Sequence, residues 1–159
     1  EIGDKKTAQT AKLEEEIKQP KFRNEFHKLA VNVLYTNGWL MNLYSNLFSK
    51  YGITSNQYNI LRILRGQYPN PATVNLLKER MLDKMSDASR LVERLRIKGF
   101  AKRDLSSKDR RCVDIIITEK GLHLLKGIYK LNDKHDSFLK NLSESEAKKL
   151  NSLLDKLRD

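Results

Sequence analysis

The residues best suited to chemistry are hydrogen-bond donors that recur at helical spacing in the middle of the chain. Ser86, Ser89 and Arg90 come first, and an arginine can donate two parallel hydrogen bonds to the edge of a guanine. This pattern predicts a helix over 86–98 whose first half reads base edges in the major groove of DNA. Two later arginines suit contacts with the phosphate backbone, namely Arg94 and Arg96.

A second basic group follows closely. Lys108, Arg110 and Arg111 lie in a polar stretch ahead of a β-branched run, which predicts the tip of a hairpin. Such a tip suits the minor groove, whose negative potential attracts arginine. Asp109 is expected to pair with Arg111 and fix the direction of its guanidinium. From Arg90 to Arg111 the chain carries nine Lys or Arg against three Asp or Glu.

Each of these features also has a plainer interpretation. An arginine-rich helix is often only a solvated surface, and a basic hairpin tip is often only a loop. Their order along the chain, a helix and then a hairpin, favours nucleic acid over both plain interpretations. The formal charge of +11 and the pI near 9.7 also suit a polyanionic partner.

Hydrophobic spacing predicts the elements that must position these donors. Apolar residues recur every three, four or seven positions over 22–51, which predicts a helix too long for a small core. Part of its apolar stripe should therefore bind another subunit. Thr54 and Gln57 form a capping box that opens a second helix through Leu64, whose core face is Tyr58, Leu61 and Leu64. A loop follows over 66–72.

Four further helices and two strands complete the prediction. Thr73 caps a short helix whose inward residues are Val74, Leu77 and Met81. The helix over 86–98 has an apolar face of Ala88, Leu91, Val92 and Leu95. Strands are predicted over 100–104 and 112–118. Thr118 then caps one long helix with Leu122, Leu125, Ile128, Tyr129, Phe138 and Leu139 inward, and Ser143 with Glu146 caps a last one bearing Leu150, Leu153, Leu154 and Leu157.

This order predicts a mainly α fold with a small β-hairpin, a winged helix-turn-helix with N- and C-terminal dimerisation helices. The winged helix-turn-helix spans 53–121, and its evidence is concentrated in 73–121. The dimerisation region combines 22–52 and 122–159, and residues 1–21 form a polar extension.

Other classes of protein are poorly supported. No stretch approaches the roughly 20 apolar residues that span a bilayer, and the first residues lack an apolar signal core, so we expect a soluble cytoplasmic protein with no membrane partner. The single Cys112 excludes an internal disulfide and is expected to fill space in a strand. The histidines lie too far apart to pair as metal ligands, and Asp83 and Asp87 suit a helix dipole. We expect no metal, cofactor or enzymatic activity.

The quoted segments resemble the multiple antibiotic resistance regulator (MarR) family. The resemblance is carried by the run 89–95 (Ser-Arg-Leu-Val-Glu-Arg-Leu), by Lys98-Gly99-Phe100, by Lys108-Asp109-Arg110-Arg111 and by Thr118-Glu119-Lys120-Gly121. It covers residues 22–158 in element order.

The resemblance implies a homodimer that binds a palindromic operator in double-stranded DNA, usually as a repressor. It gives the recognition role to Ser86, Ser89 and Arg90, and the wing role to Asp109 and Arg111. Many members release DNA when a small aromatic ligand binds, and such a ligand could lodge near Trp39, Tyr44, Phe48 and Tyr58, although core packing is the first expectation for these residues.

Two alternatives remain open at this stage. A winged helix that docks its basic face on an acidic protein, without specific DNA binding, would be monomeric and would have no affinity for duplexes. RNA binding is the weaker alternative, because the sequence shows no aromatic stacking platform on a sheet.

Overall fold

The computed structural model describes residues 12–106 and 113–159, apart from the side chains of Asn132 and Lys134. Within those residues the chain forms helices and one antiparallel pair of strands, which confirms the predicted fold class. The elements are α1 (Leu13–Glu16), α2 (Glu25–Ser49), α3 (Ser55–Gln67), α4 (Val74–Arg80), α5 (Ala88–Ile97), β1 (Ala101–Leu105), β2 (Val113–Ile117), α6 (Glu119–Tyr129), α7 (Asn132–Ser137) and α8 (Glu144–Leu157). The chain divides between Leu43 and Tyr44, within α2, into two compact units.

The first unit contains α1 and the first part of α2. The sequence predicted only a polar extension before residue 22, so α1 was missed; its four residues are too few for periodicity to detect. Leu13 is buried, and Glu14 forms an ion pair with Lys28 of α2. In the first unit, Phe26 (82%), Leu29 and Val33 of the predicted apolar stripe of α2 are exposed, whereas Phe22, Leu40 and Leu43 are half-buried.

The core of the second unit is built around α3. Ile60 and Leu61 are completely buried, and the predicted inward faces of α4, α5 and α6 pack around them. Nine predicted inward residues are confirmed as buried: Leu61, Leu64, Leu77, Met81, Ala88, Val92, Leu95, Leu125 and Ile128. Others lie partly buried at the edge of this core: Tyr58, Val74, Leu91, Leu122, Tyr129 and Phe138. Ile60 was missed as a core residue.

The predicted helix caps are confirmed. Thr54 and Gln57 form a capping box at α3, and Ser143 and Glu146 form another at α8. The hydroxyl of Thr73 accepts from the N–H of Leu76, and the hydroxyl of Thr118 accepts from the N–H of Gly121. These contacts satisfy N–H groups that the first turn of a helix leaves unpaired.

Several helix boundaries differ from the prediction; α2 is shorter at both ends, and α5 begins at Ala88. Two further differences concern α3 and the helix after Thr118. α3 continues through Gly66 to Gln67, because a glycine is tolerated near a helix end and the chain first breaks before Pro69. The long helix predicted after Thr118 is broken between α6 and α7. Tyr129 and Phe138 are about two and a half helical turns apart, so one straight helix would place them on opposite faces. The break lets both pack on the core and leaves Leu139 half exposed, contrary to its predicted inward position.

The two strands form the wing of the fold. They pair in antiparallel register from Ala101 opposite Ile117 to Leu105 opposite Val113, each within one residue of its predicted limits. Ala72, in the loop before α4, forms a single β-bridge to β2 by exchanging two main-chain hydrogen bonds with Ile115. The sequence did not reveal this bridge. The predicted strand residue Cys112 lies outside the described residues.

Gly121 allows the start of α6 to lie against the main chain just before β1 and against the end of β2. A Cβ at this position would lie 2.4 Å from the main-chain oxygen of Phe100 and 2.7 Å from Cγ1 of Ile117. Gly127 lies on the same helix with nothing within 4 Å of its added Cβ. The two glycines therefore allow the same substitution to be compared at a crowded and at an open position of one helix.

We expect Gly121→Ala to lower the free energy of unfolding by about 1–3 kcal/mol, because the new methyl group meets backbone that cannot move aside freely. Gly127→Ala should be neutral or raise that free energy by up to about 1 kcal/mol, since alanine favours helix. Urea unfolding followed by circular dichroism measures both. Equal stabilities for the two variants would contradict the close approach at Gly121.

Candidate nucleic-acid interface

α4 and α5, joined by a turn, form the helix-turn-helix that precedes the wing. Asp87 caps α5 by accepting a hydrogen bond at 3.1 Å from the N–H of Arg90. The buried face of α5 consists of Ala88, Val92 and Leu95. The opposite face is exposed, and it presents Ser89, Arg90 and Arg94 to solvent. Among the described residues, neither Arg90 nor Arg94 has a side-chain partner.

Ser86 does not lie on this face, contrary to the prediction. α5 begins at Ala88, so Ser86 precedes the capping residue and belongs to the turn. Its hydroxyl donates to Asp83 Oδ2 at 2.5 Å and accepts from Asn56 Nδ2 at 2.6 Å. Because both roles of the hydroxyl are already occupied within the protein, Ser86 positions the turn.

Two asparagines of α3 hold this turn. Asn56 also donates to Asp83 Oδ2 at 3.0 Å, and Asn59 accepts from the N–H of Leu82 at 2.9 Å. Both were missed in the sequence. They are three residues apart and therefore share one face of α3, which is the signal that could have found them. Asp83, interpreted from the sequence as a helix-dipole partner, instead organises the turn.

The hydrogen bonds to Asp83 favour its charged form. The hydroxyl of Ser86 contributes most, followed by the N–H of Met85 and the amide of Asn56, and together they lower the pKa of this carboxyl. A group with a lowered pKa in the folded state stabilises the fold above its unfolded pKa, near 4. That stabilisation is lost as the pH falls through the folded pKa.

We expect Asp83→Asn to lower the free energy of unfolding at pH 7, because an amide nitrogen cannot accept from Ser86 and Asn56. The carboxyl is exposed, so solvent screening keeps the loss below about 1 kcal/mol. The difference from the wild type should shrink below about pH 4, where the unfolded carboxyl is protonated. Urea unfolding at several pH values measures it, with Asp104→Asn, exposed on β1, as the control. A difference independent of pH would contradict the charged network.

Arg96 is held by a carboxylate on the same helix. Its Nε and Nη2 donate to the two oxygens of Glu93 at 2.9 and 2.8 Å, and Arg103 of β1 lies 3.9 Å from Glu93. This pairing lowers the pKa of Glu93 and raises that of Arg96. Arg94 is thus the freer of the two cations predicted to meet phosphates.

Two lysines from the segments that resemble the MarR family hold the end of α5 in place. Lys98 donates to the main-chain oxygen of Gly52 at 2.5 Å and to Oε1 of the buried Gln57 at 3.2 Å. Lys120 donates to the main-chain oxygen of Lys98 at 2.8 Å and lies over the ring of Phe100. The ammonium group of Lys98, one of the nine basic residues counted over 90–111, is therefore directed toward the protein.

The predicted wing residues Lys108, Asp109, Arg110 and Arg111 lie outside the described residues. The register of β1 and β2 brings Leu105 opposite Val113, so the strands that carry this segment end side by side. The predicted Asp109–Arg111 pair stays a prediction.

Three of the four predicted ligand-pocket residues form an aromatic stack. Phe48 lies between Tyr44 and Tyr58, with ring centroids 5.8 and 4.3 Å away. His135 meets Tyr44 and Phe48 edge-on, and burial lowers its pKa. Its buried Nε2 has no hydrogen-bond partner among the described residues. Trp39 instead lines an open cleft of the first unit with Leu13 and Tyr35.

Other kinds of site find no support in the described part of the chain. No three His, Cys, Asp or Glu side chains there lie close enough to hold a metal ion. No described helix combines the length and the apolar character needed to cross a bilayer.

The helix-turn-helix of α4 and α5, followed by the antiparallel strands β1 and β2, is the architecture of the winged helix-turn-helix proteins. The chain matches no protein-family model and no curated protein sequence. Solved structures do match it. A cysteine-to-serine mutant of MarR from E. coli, complexed with operator DNA, is 26% identical, with a TM-score of 0.75 over 86% of this chain and 98% of that one.

Two other structures agree. The organohalide-sensing transcriptional regulator RdhR, in its 2,4-dichlorophenol-bound form, is 17% identical, with a TM-score of 0.79 over 88% of this chain and 83% of that one. The S. aureus MepR–DNA complex is 18% identical, with a TM-score of 0.70 over 86% and 97%. The protein has a MarR-like fold, as the resemblance predicted.

Proposed function

We propose that this protein is a transcriptional regulator that binds a specific sequence in double-stranded DNA. The observation that carries the proposal is the exposed face of α5, where the side chains of Ser89 and Arg90 have no partner among the described residues, on a helix anchored at both ends. A MarR protein with the same fold is known in complex with operator DNA, which supports this use of the helix.

Each exposed side chain has a separate role in the proposal. Ser89 and Arg90 lie in the first turn of α5, the part of a recognition helix that reaches base edges. Arg94 lies one turn farther along and contacts a phosphate, and Arg96 contributes less because Glu93 already binds it. The wing residues predicted for the minor groove are Lys108, Asp109, Arg110 and Arg111.

We further propose that the protein acts as a homodimer. The leucines predicted to form a stripe all lie on α8, but α8 buries no residue in the single chain. Leu150, Leu153 and Leu157 are 44%, 53% and 54% exposed. In the first unit, Phe26 and Leu34 of α2 are likewise exposed. Exposed apolar stripes of this kind mark protein interfaces. The dimerisation region is therefore 22–52 with 122–159, and 53–121 binds DNA.

The aromatic stack is the proposed place for an effector that releases DNA and so relieves repression. Tyr44, Phe48 and Tyr58 provide an apolar wall. Nε2 of His135, which has no hydrogen-bond partner in the described part of the chain, provides one polar partner for a phenolic hydroxyl. RdhR, which shares the fold, is known in a form that contains 2,4-dichlorophenol. Displacement of bound duplex by chlorinated phenols tests this part.

A protein-binding module without affinity for DNA is the second candidate. It is favoured by the exposed apolar side chains Leu82 and Met85 beside α5. Light scattering combined with a gel shift on random and operator-like duplexes separates the candidates. A dimer that shifts duplexes supports the regulator, whereas a monomer that shifts none supports the module.

A further inference from the structure

The turn between α4 and α5, residues 82–86, is here called the recognition turn. Its polar groups are directed toward the protein and its large apolar side chains toward solvent. Leu82 is 86% exposed and Met85 is 94% exposed. Met85 lies two residues before the capping Asp87, at the same end of α5 as Ser89 and Arg90. Both apolar side chains are therefore available for a contact outside the core.

The backbone around Met85 is held on both sides. Its own N–H donates to Asp83 Oδ1 at 3.0 Å, and the N–H of Ser86 donates to the main-chain oxygen of Asp83 at 3.4 Å. The ammonium group of Lys84 donates to main-chain oxygens at the end of α4. The backbone that carries Met85 therefore has little entropy left to lose on binding, and it presents the side chain at a defined position.

DNA supplies an apolar partner at this place. Along the major groove, the C5-methyl group of thymine is the apolar feature that distinguishes one base edge from the others. The unbranched thioether side chain of methionine adapts readily to such a surface. The cations of Arg90 and Arg94, exposed on the adjoining helix, favour a polyanion over an apolar protein surface as the occupant.

We propose that Met85 is a specificity-determining residue that contacts the C5-methyl group of a thymine next to the bases read by Arg90. The inference rests on the proposed DNA-binding function and adds a readout that uses no hydrogen bond. The network of Asn56, Asp83 and Ser86 serves this contact by positioning the recognition turn.

The test removes one methyl group from DNA and the matching side chain from the protein. Duplexes are first selected by the wild-type protein from a random pool. Each thymine of the selected site is then replaced in turn by deoxyuridine, which lacks only the C5-methyl group. Affinities are measured for the wild type, for Met85→Ala and for Ile97→Ala, a control in which an exposed apolar residue is removed from the other end of α5.

At one thymine in a half-site, we expect deoxyuridine to weaken wild-type binding about fourfold, the effect of one buried methyl group. Met85→Ala should bind the parent duplex more weakly and show no further loss there, whereas Ile97→Ala should keep the wild-type sensitivity. The inference is overturned if Met85→Ala stays as sensitive as the wild type, if no thymine is sensitive, or if Met85→Ala binds every duplex normally, which would assign the turn to a protein partner. Failure of the wild type to select any duplex would instead overturn the proposed function.

Discussion

Arg90→Ala is expected to abolish the preference of the protein for guanine at one position of each half-site. The arginine stands exposed in the first turn of α5, and its own N–H anchors the helix cap at Asp87. Loss of a bidentate contact to guanine costs about 1–3 kcal/mol per half-site, so a dimer on a two-fold site loses about 2–6 kcal/mol. Fluorescence anisotropy with the selected duplex and with its guanine variants measures both affinity and preference.

Arg94→Ala is the matched control for this change. It removes the same charge one turn farther along the same exposed face. Because a phosphate contact is independent of sequence, we expect all duplexes to bind more weakly by a similar factor. If Arg90→Ala behaved in the same uniform way, Arg90 would be a backbone contact and the assignment of the reading face would be wrong.

Leu153→Glu is expected to convert the proposed dimer into a monomer. Leu153 is half exposed in the single chain, so a glutamate there is tolerated by the monomer. In a dimer interface, the same carboxylate would be buried without a partner, which costs several kcal/mol. Because two linked half-sites bind far more tightly than one, operator affinity should fall by at least about a hundredfold. Light scattering and anisotropy measure the two effects.

Ser152→Glu provides the control on the same helix. It introduces the same charge at an exposed position about 100° or more around the helix from every leucine of the stripe. This variant should stay dimeric and bind the operator nearly as the wild type does. A dimeric Leu153→Glu, or a monomeric variant with unchanged operator affinity, would contradict the proposed interface.

The parts of the fold that depend on neighbouring residues were predictable from the sequence. The caps at Thr54, Thr73 and Ser143 satisfy N–H groups within three residues, so their signals are short and local. The apolar faces of α3, α4 and α5 follow from helical periodicity for the same reason. The predicted positions of Ser89, Arg90 and Arg94 depended only on that periodicity.

The errors at the candidate interface concern side chains whose partners are distant in the sequence. Ser86 bonds to Asn56, and Lys98 bonds to the main chain of Gly52, so neither faces outward as its neighbours suggested. A pattern within one helix cannot reveal a hydrogen-bond acceptor on another helix. The same reasoning explains why the β-bridge between Ala72 and Ile115 of β2 was not predicted.

The most direct test of the central claim, that α5 reads duplex DNA as part of a dimer, is selection from a random duplex pool followed by titration of the enriched site at two salt concentrations. We predict an enriched pseudo-palindrome with half-sites about one helical turn, or ~34 Å, apart. Its affinity should fall about a hundredfold to a thousandfold between about 0.05 and 0.2 M salt as counterions are released. A pool without enrichment, together with no duplex affinity at the lower salt concentration, would contradict the claim.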